Sequence, residues 1–144
     1  GIKVVDGWEN AYYQQFSGGS GEGNRPVVVS YATSPAAEVM FAKDPEASAP
    51  TANVNSGCFQ QVEYAGVLAG ARNEPGAQKL VDFMLSRSFQ DAVGEQMFVY
   101  PVMPDATVPK EFGSPPADPV ILSPEEIAAG RDEWIEQWSE IMGQ

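Results

Sequence analysis

The sequence predicts an α/β fold, and three observations predict it. Short apolar runs rich in β-branched residues (2–5, 27–29 and the 59–69 segment FQQVEYAGVLA) alternate with stretches of helical spacing. Capping signatures, Ser34-Pro35 and Ser123-Pro124-Glu125-Glu126, stand where helices should begin. Turn pairs such as Asp6-Gly7 and Gly18-Gly19 punctuate the runs.

In chain order, residues 2–5 read as a strand closed by Asp6-Gly7, and Trp8 leads into a short helix over 9–16. Residues 17–24, with four glycines, read as a flexible connector. The segment 25–39 is the organising one. Val27-Val28-Val29 predicts a buried strand, Ser30 and Tyr31 stand at its mouth, and Ser34 is placed to cap a helix running from Pro35 to about Lys43. Residues 44–57 are loop, 59–69 a strand between Gly57 and Gly70, and 75–86 a helix with Ala77, Leu80, Val81 and Met84 as its core stripe. A second helical piece follows over 86–96, then a strand-like segment, 97–102, that Pro101 keeps out of a central ladder. Residues 104–119, with five prolines, read as an extended surface strap. The last helix puts Ile127, Trp134, Trp138 and Ile141 on one face, which predicts burial of both tryptophans.

The chain has 144 residues, 43% of them hydrophobic, enough for one unit, 1–144, with a real core. Twenty acidic against eight basic residues argue against nucleic acid, whose phosphates require a basic face. Acidic charge serves the solubility of an exported protein and also fits a cationic small ligand through long-range attraction. No run reaches the ~20 apolar residues of a membrane span. The abrupt start in a strand-like run suggests a fragment of a longer chain. Cys58, the only cysteine, reads as a small half-buried residue, with a partner in absent sequence left open.

Catalytic patterns fail. With no histidine there is no Ser-His-Asp or Cys-His arrangement and no zinc cluster of Cys and His. No P-loop or dinucleotide fingerprint occurs, and the acidic pairs of the last helix read as a solvated face. The expectation is a protein that is not an enzyme and needs no cofactor or metal. What remains is aromatic: Trp8, Tyr31, Phe98 and Tyr100 stand at element ends beside turns, as a cleft lining would. Tyr12-Tyr13 raises the question of a tyrosinate metal site, but adjacent residues on a helix face different ways.

Val28-Val29-Ser30-Tyr31-Ala32-Thr33-Ser34-Pro35-Ala36 resembles the VLSYTTSPA segment of bacterial thiamine-binding proteins, the substrate-binding components of thiamine ABC transporters. Gly7-Trp8 resembles that family's KGW, residues 57–63 its GHYLQVE, 78–90 its QKFLQFMVSPAFQ, Tyr100-Pro101-Val102 its MYPV, and 123–138 its TPAEVAAQRQAWISEW. The resemblance implies the C-terminal portion of a two-lobed, type II periplasmic-binding-protein-like clamp that closes on its ligand, with the first half missing. It implies an extracytoplasmic place, in the periplasm or lipid-anchored at the outer face of the cell membrane. The implied partners are thiamine or its phosphates, an ABC permease and the missing N-terminal portion. By the same resemblance Trp8 and Tyr31 match ligand contacts, Phe98 stands where the family has tryptophan, and Ala37 stands where it has a second tyrosine. Stacking and cation–π contact would come from the aromatic residues, and polar contacts from Ser30 and Ser34; the helix start at Ser34 would favour a phosphate. A ferric or other small-solute binder of the same clamp type, and a cell-surface protein-interaction module, remain the alternatives.

Overall fold

The signal that Ser123-Pro124-Glu125-Glu126 sends is local, and the chain obeys it. The computed structural model describes residues 1–19, 22–44 and 46–143. The connector reading at Ser20 and Gly21, and the loop reading at Pro45, lie outside the described residues. In chain order the helices are a π-helical segment Asn10–Gln15, α1 (Ser34–Met40), α2 (Glu74–Met84), α3 (Arg87–Met97), a 3₁₀ turn Lys110–Phe112, and α4 (Pro124–Met142). The residues cluster into two compact units. The first holds Gly1–Tyr31, Val54–Gln60 and Asp118–Gln144; the second holds Ala32–Asn53 and Gln61–Ala117.

In the first unit, α4 begins in a complete capping box. The Glu126 amide donates to Ser123 Oγ at 3.2 Å, and the Ser123 amide donates to Glu126 Oε2 at 2.8 Å. The backbone N–H and the hydroxyl of Ser123 hold the Glu126 carboxyl below its usual 4.5. The folded value is therefore the lower one. The box's contribution is present above the usual carboxylate range and is lost as pH falls through the lowered folded value. We expect Ser123→Ala to cost about 1 kcal/mol at neutral pH. Urea unfolding should show that loss; Glu126→Ala, which removes the titrating carboxylate, should show a gap from the parent that closes in acid, and a gap independent of pH would mean that the carboxylate does not cap α4.

The predicted burial of the α4 stripe is not what the structure has. Trp134 is 43% and Trp138 47% exposed, and α4 has no buried residue. The Trp134 indole lies over Gly130, one turn earlier on its own helix, where a side chain would collide with it. Helical spacing specifies a stripe, not the surface that covers it.

The second unit is built around Thr33, Ala36, Gln90, Val93, Gly94 and Phe112, all buried. Ser86 caps α3 as its position suggests, its Oγ accepting from the Phe89 amide. Gln90 is 6% exposed and fully used: Nε2 donates to Met84 O at 2.7 Å, and Oε1 accepts from the Val102 amide at 2.8 Å. The proline-rich strap is more than surface. Its Pro109 ring lies on Gly94, its Phe112 enters the core, and its Thr107 amide donates to Asp91 Oδ1 at 2.6 Å. That bond and the Arg87–Asp91 pair at 2.7 Å draw the Asp91 carboxyl down, the Arg87 hydrogen bond contributing most.

The main correction concerns strands. Among the described residues no ladder forms at 2–5, 25–31, 59–69 or 97–102; the pairing consists of isolated bridges, Phe16 with Arg25 and Phe59 with Val120. Among the described residues the structure is mostly helical, and these bridges are its only strand-like pairing. A strand is stable only beside partner backbones, and Val27 and Val29, 75% and 94% exposed, have none. Residues 97 and 98 are the end of α3 rather than the start of a strand, and α1 ends three residues before Lys43.

Candidate functional site

The site residues read from sequence divide between the two units. Trp8, Ser30 and Tyr31 belong to the first; Ser34, Phe98 and Tyr100 belong to the second.

Trp8 is delivered by a tight turn. Gly7 has φ +81°, a conformation costly for any residue with a Cβ, and its carbonyl accepts from the Ala11 amide at 3.3 Å to open the helix. The helix then widens: the Phe16 amide donates to Ala11 O, five residues back, at 3.0 Å. In so wide a turn, residues four and five places on both come round to Trp8. Tyr12 stacks on the indole at 4.8 Å and 19°, while Tyr13 stands at right angles to it, 5.4 Å and 84°. The two tyrosine rings meet at 5.4 Å and 80°, closing a triangle of rings. Tyr12 is 2% exposed and Tyr13 47%, so the pair splits between core and surface as helical geometry suggests, yet both touch Trp8. Gly19 and Gly23 of the glycine-rich segment act by close approach: a side chain at Gly19 would meet the Tyr12 ring, and one at Gly23 the backbone at Gln15.

The indole N–H donates to Ser30 Oγ at 2.8 Å, across 22 residues of sequence. Trp8 is therefore fixed by a stack, an edge contact and a hydrogen bond, while 37% of it remains exposed. Tyr31, next to Ser30, is 58% exposed. The cations near this group in sequence are turned elsewhere: Lys3 Nζ donates to Gln15 Oε1 at 2.7 Å and Arg25 Nη1 to Gly1 O at 2.8 Å. What the arrangement offers is a fixed aromatic surface flanked in sequence by Asp6 and Glu9. Such a surface attracts flat cations.

In the second unit the helix start differs from the sequence reading. Thr33, not Ser34, is the N-cap of α1, and it makes no side-chain cap bond. Its hydroxyl donates instead to Phe98 O at 2.6 Å, joining the start of α1 to the end of α3. Ser34 is the first helical residue. Phe98 ends α3 with φ 57°, the one non-glycine left-handed residue among those described, and its ring meets Phe41 at 5.4 Å. Tyr100 packs edge-on against Phe112 at 5.4 Å and donates its hydroxyl to Phe112 O at 3.3 Å; burial raises its pKa. Tyr100 is thus tied to the core, whereas Phe98 keeps a half-buried ring. Among the described residues no three His, Cys, Asp or Glu side chains gather as metal ligands, and no helix is long and apolar enough to cross a membrane. Cys58 is half-buried, its Sγ 3.9 Å from Val54 O.

Comparison with known proteins points one way. Over 139 residues, 95% of the chain, it is 35% identical to the thiamine-binding periplasmic protein of Escherichia coli K12 and 34% identical to that of Salmonella typhimurium LT2. It is 29% identical over 140 residues to the thiamine-binding periplasmic protein of Brucella suis biovar 1. The chain spans about 40% of the length of these curated relatives. No protein-family model matches it. No solved structure matches it either.

Proposed function

We propose that this chain is the C-terminal portion of an extracytoplasmic solute-binding protein that captures thiamine and hands it to an ABC importer in the membrane. The parent would be a bilobal clamp of the type II periplasmic-binding-protein α/β class, of which residues 1–144 form one portion. Similarity along 95% of the chain to proteins named for thiamine supports the ligand. The exposed valines of 27–29 support the fold, because they ask for a sheet that the remaining length of such a protein would supply.

The observation that carries the reading is Trp8, held by Ser30 and stacked on Tyr12, with the exposed Tyr31 next to Ser30 in sequence. Thiamine has a permanent thiazolium cation and a flat aminopyrimidine. Ring stacking and cation–π attraction serve both, and the net charge of −12 favours approach of the cation. Ser34, Phe98 and Tyr100 are the candidate contacts of the second unit. The role is capture and release; no bond of the ligand is made or broken. The short α1, whose cap hydroxyl is committed to Phe98 O, lends little to a phosphate, so thiamine is preferred over its mono- and diphosphates.

Calorimetric titration of the intact protein with thiamine, thiamine diphosphate and ferric citrate in parallel tests this. Affinity of about micromolar or tighter for thiamine is expected, with diphosphate weaker and iron silent. No heat with thiamine, or a response to iron alone, would overturn the reading.

A further inference from the structure

We propose that Tyr13 is a further ligand-contacting residue, forming with Trp8 an aromatic corner that selects a charged flat ring over a neutral one. The proposal rests on the thiamine reading and adds to it a specificity-determining side chain.

Three observations carry it. First, one indole face is already covered: Tyr12, almost wholly buried, lies nearly parallel to Trp8 at 4.8 Å. A ligand must therefore use what remains of Trp8, and that surface belongs to a ring with no freedom to turn, since its N–H is held by Ser30 Oγ. Second, Tyr13 stands at 84° to the indole and stays 47% exposed, though it touches both Trp8 and Tyr12. Two rings at right angles make a corner of two walls. A flat ligand lying along one wall brings its rim to the other. Third, the corner is electrostatically one-sided. Aromatic faces are negative at their centres, Asp6 and Glu9 flank Trp8 in the chain, and Lys3 and Arg25 are spent on Gln15 and the Gly1 carbonyl. A positive ring is favoured there over a neutral one of the same shape.

The widened turn is what makes Tyr13 available. Were 10–15 an ordinary α-helix, the residue five places after Trp8 would lie off its face. The π-helical register, common where a helix carries function, brings it round.

The test uses the intact protein with two probes: thiamine, and its neutral isostere in which the charged ring nitrogen is replaced by carbon. Tyr13→Leu keeps bulk against Trp8 but removes the ring; Tyr13→Phe keeps the ring. The expected result is a thiamine affinity about tenfold weaker in Tyr13→Leu, near the parent value in Tyr13→Phe, and little changed for the neutral isostere in either. The preference for charge would thus collapse in the leucine variant alone. Equal losses for both probes would make Tyr13 mere support for Trp8 and overturn the proposal. So would thiamine affinity in Tyr13→Leu within twofold of the parent. A parent protein that ignores thiamine overturns the function and this proposal together, whereas a binding parent with a silent Tyr13 overturns this proposal alone. Thermal unfolding of both variants confirms that the comparison is between folded proteins.

Discussion

Replacing Trp8 by alanine in the intact protein is expected to weaken thiamine binding by roughly 30- to 900-fold, the loss of about 2–4 kcal/mol typical of an aromatic anchor. The size follows from how the ring is held. An unfixed tryptophan would lose rotamer freedom when it stacked on a ligand, and part of the contact energy would go to ordering it. Here Tyr12 stacks on it at 4.8 Å and Ser30 takes its N–H at 2.8 Å, so the order is already present. Removing the indole also opens the surface over Tyr12, which is 2% exposed in the folded chain. Trp8→Phe keeps a stacking face and loses the N–H; it should fall between parent and alanine, close to Ser30→Ala, which breaks the same bond from the other side. A Trp8→Ala protein that binds thiamine within threefold of the parent would remove Trp8 from the site, and Tyr31 would become the residue to test.

What sequence makes legible is what is local. The α4 capping box needs four consecutive residues and is present as read, and Ser86 and Asn73 cap α3 and α2 by the same logic. The strands are different. Val27-Val28-Val29 has strand composition, but a ladder requires a second backbone, and the partner is not encoded in the run itself. Phe112 shows the same limit from the other side. Proline spacing marks 104–119 as a strap, and nothing in that spacing says the strap delivers a core residue to Gly94. At the site, the aromatic residue types at element ends were readable. The Trp8–Ser30 bond spans 22 residues and was not. Tyr13 is not legible as a partner of Trp8, because α-helical geometry sends neighbouring tyrosines apart. The clue is a turn wide enough to let both meet Trp8, and residue spacing alone does not distinguish a π-helical register from an α-helical one.

Phe98 is expected to serve binding more than stability, because folding alone gives a poor reason for it. It closes α3 at φ 57°, where glycine is preferred and where a residue with a Cβ costs roughly 1–2 kcal/mol. The strain is held in place by the Thr33 hydroxyl on its carbonyl and by its amide donating to Gly94 O at 3.2 Å. Its half-buried ring meets Phe41, which is itself 75% exposed, so the pair lies toward the surface. Backbone strain kept by a bulky side chain points to a use for that side chain outside stability. We expect Phe98→Gly to unfold at a urea concentration near the parent's, since relief of about 1 kcal/mol offsets a ring pair of similar size. Phe98→Ala loses the ring without the relief and should be less stable than the glycine variant by about 1 kcal/mol, reversing the usual order of the two residues. Thiamine affinity should fall about tenfold or more in both, and Phe98→Trp should bind at least as well as the parent. An alanine variant more stable than the glycine one would mean the left-handed cap carries no strain. Unchanged thiamine affinity in both would mean the ring serves α1 and α3 alone, leaving Trp8 and Tyr31 as the aromatic contacts.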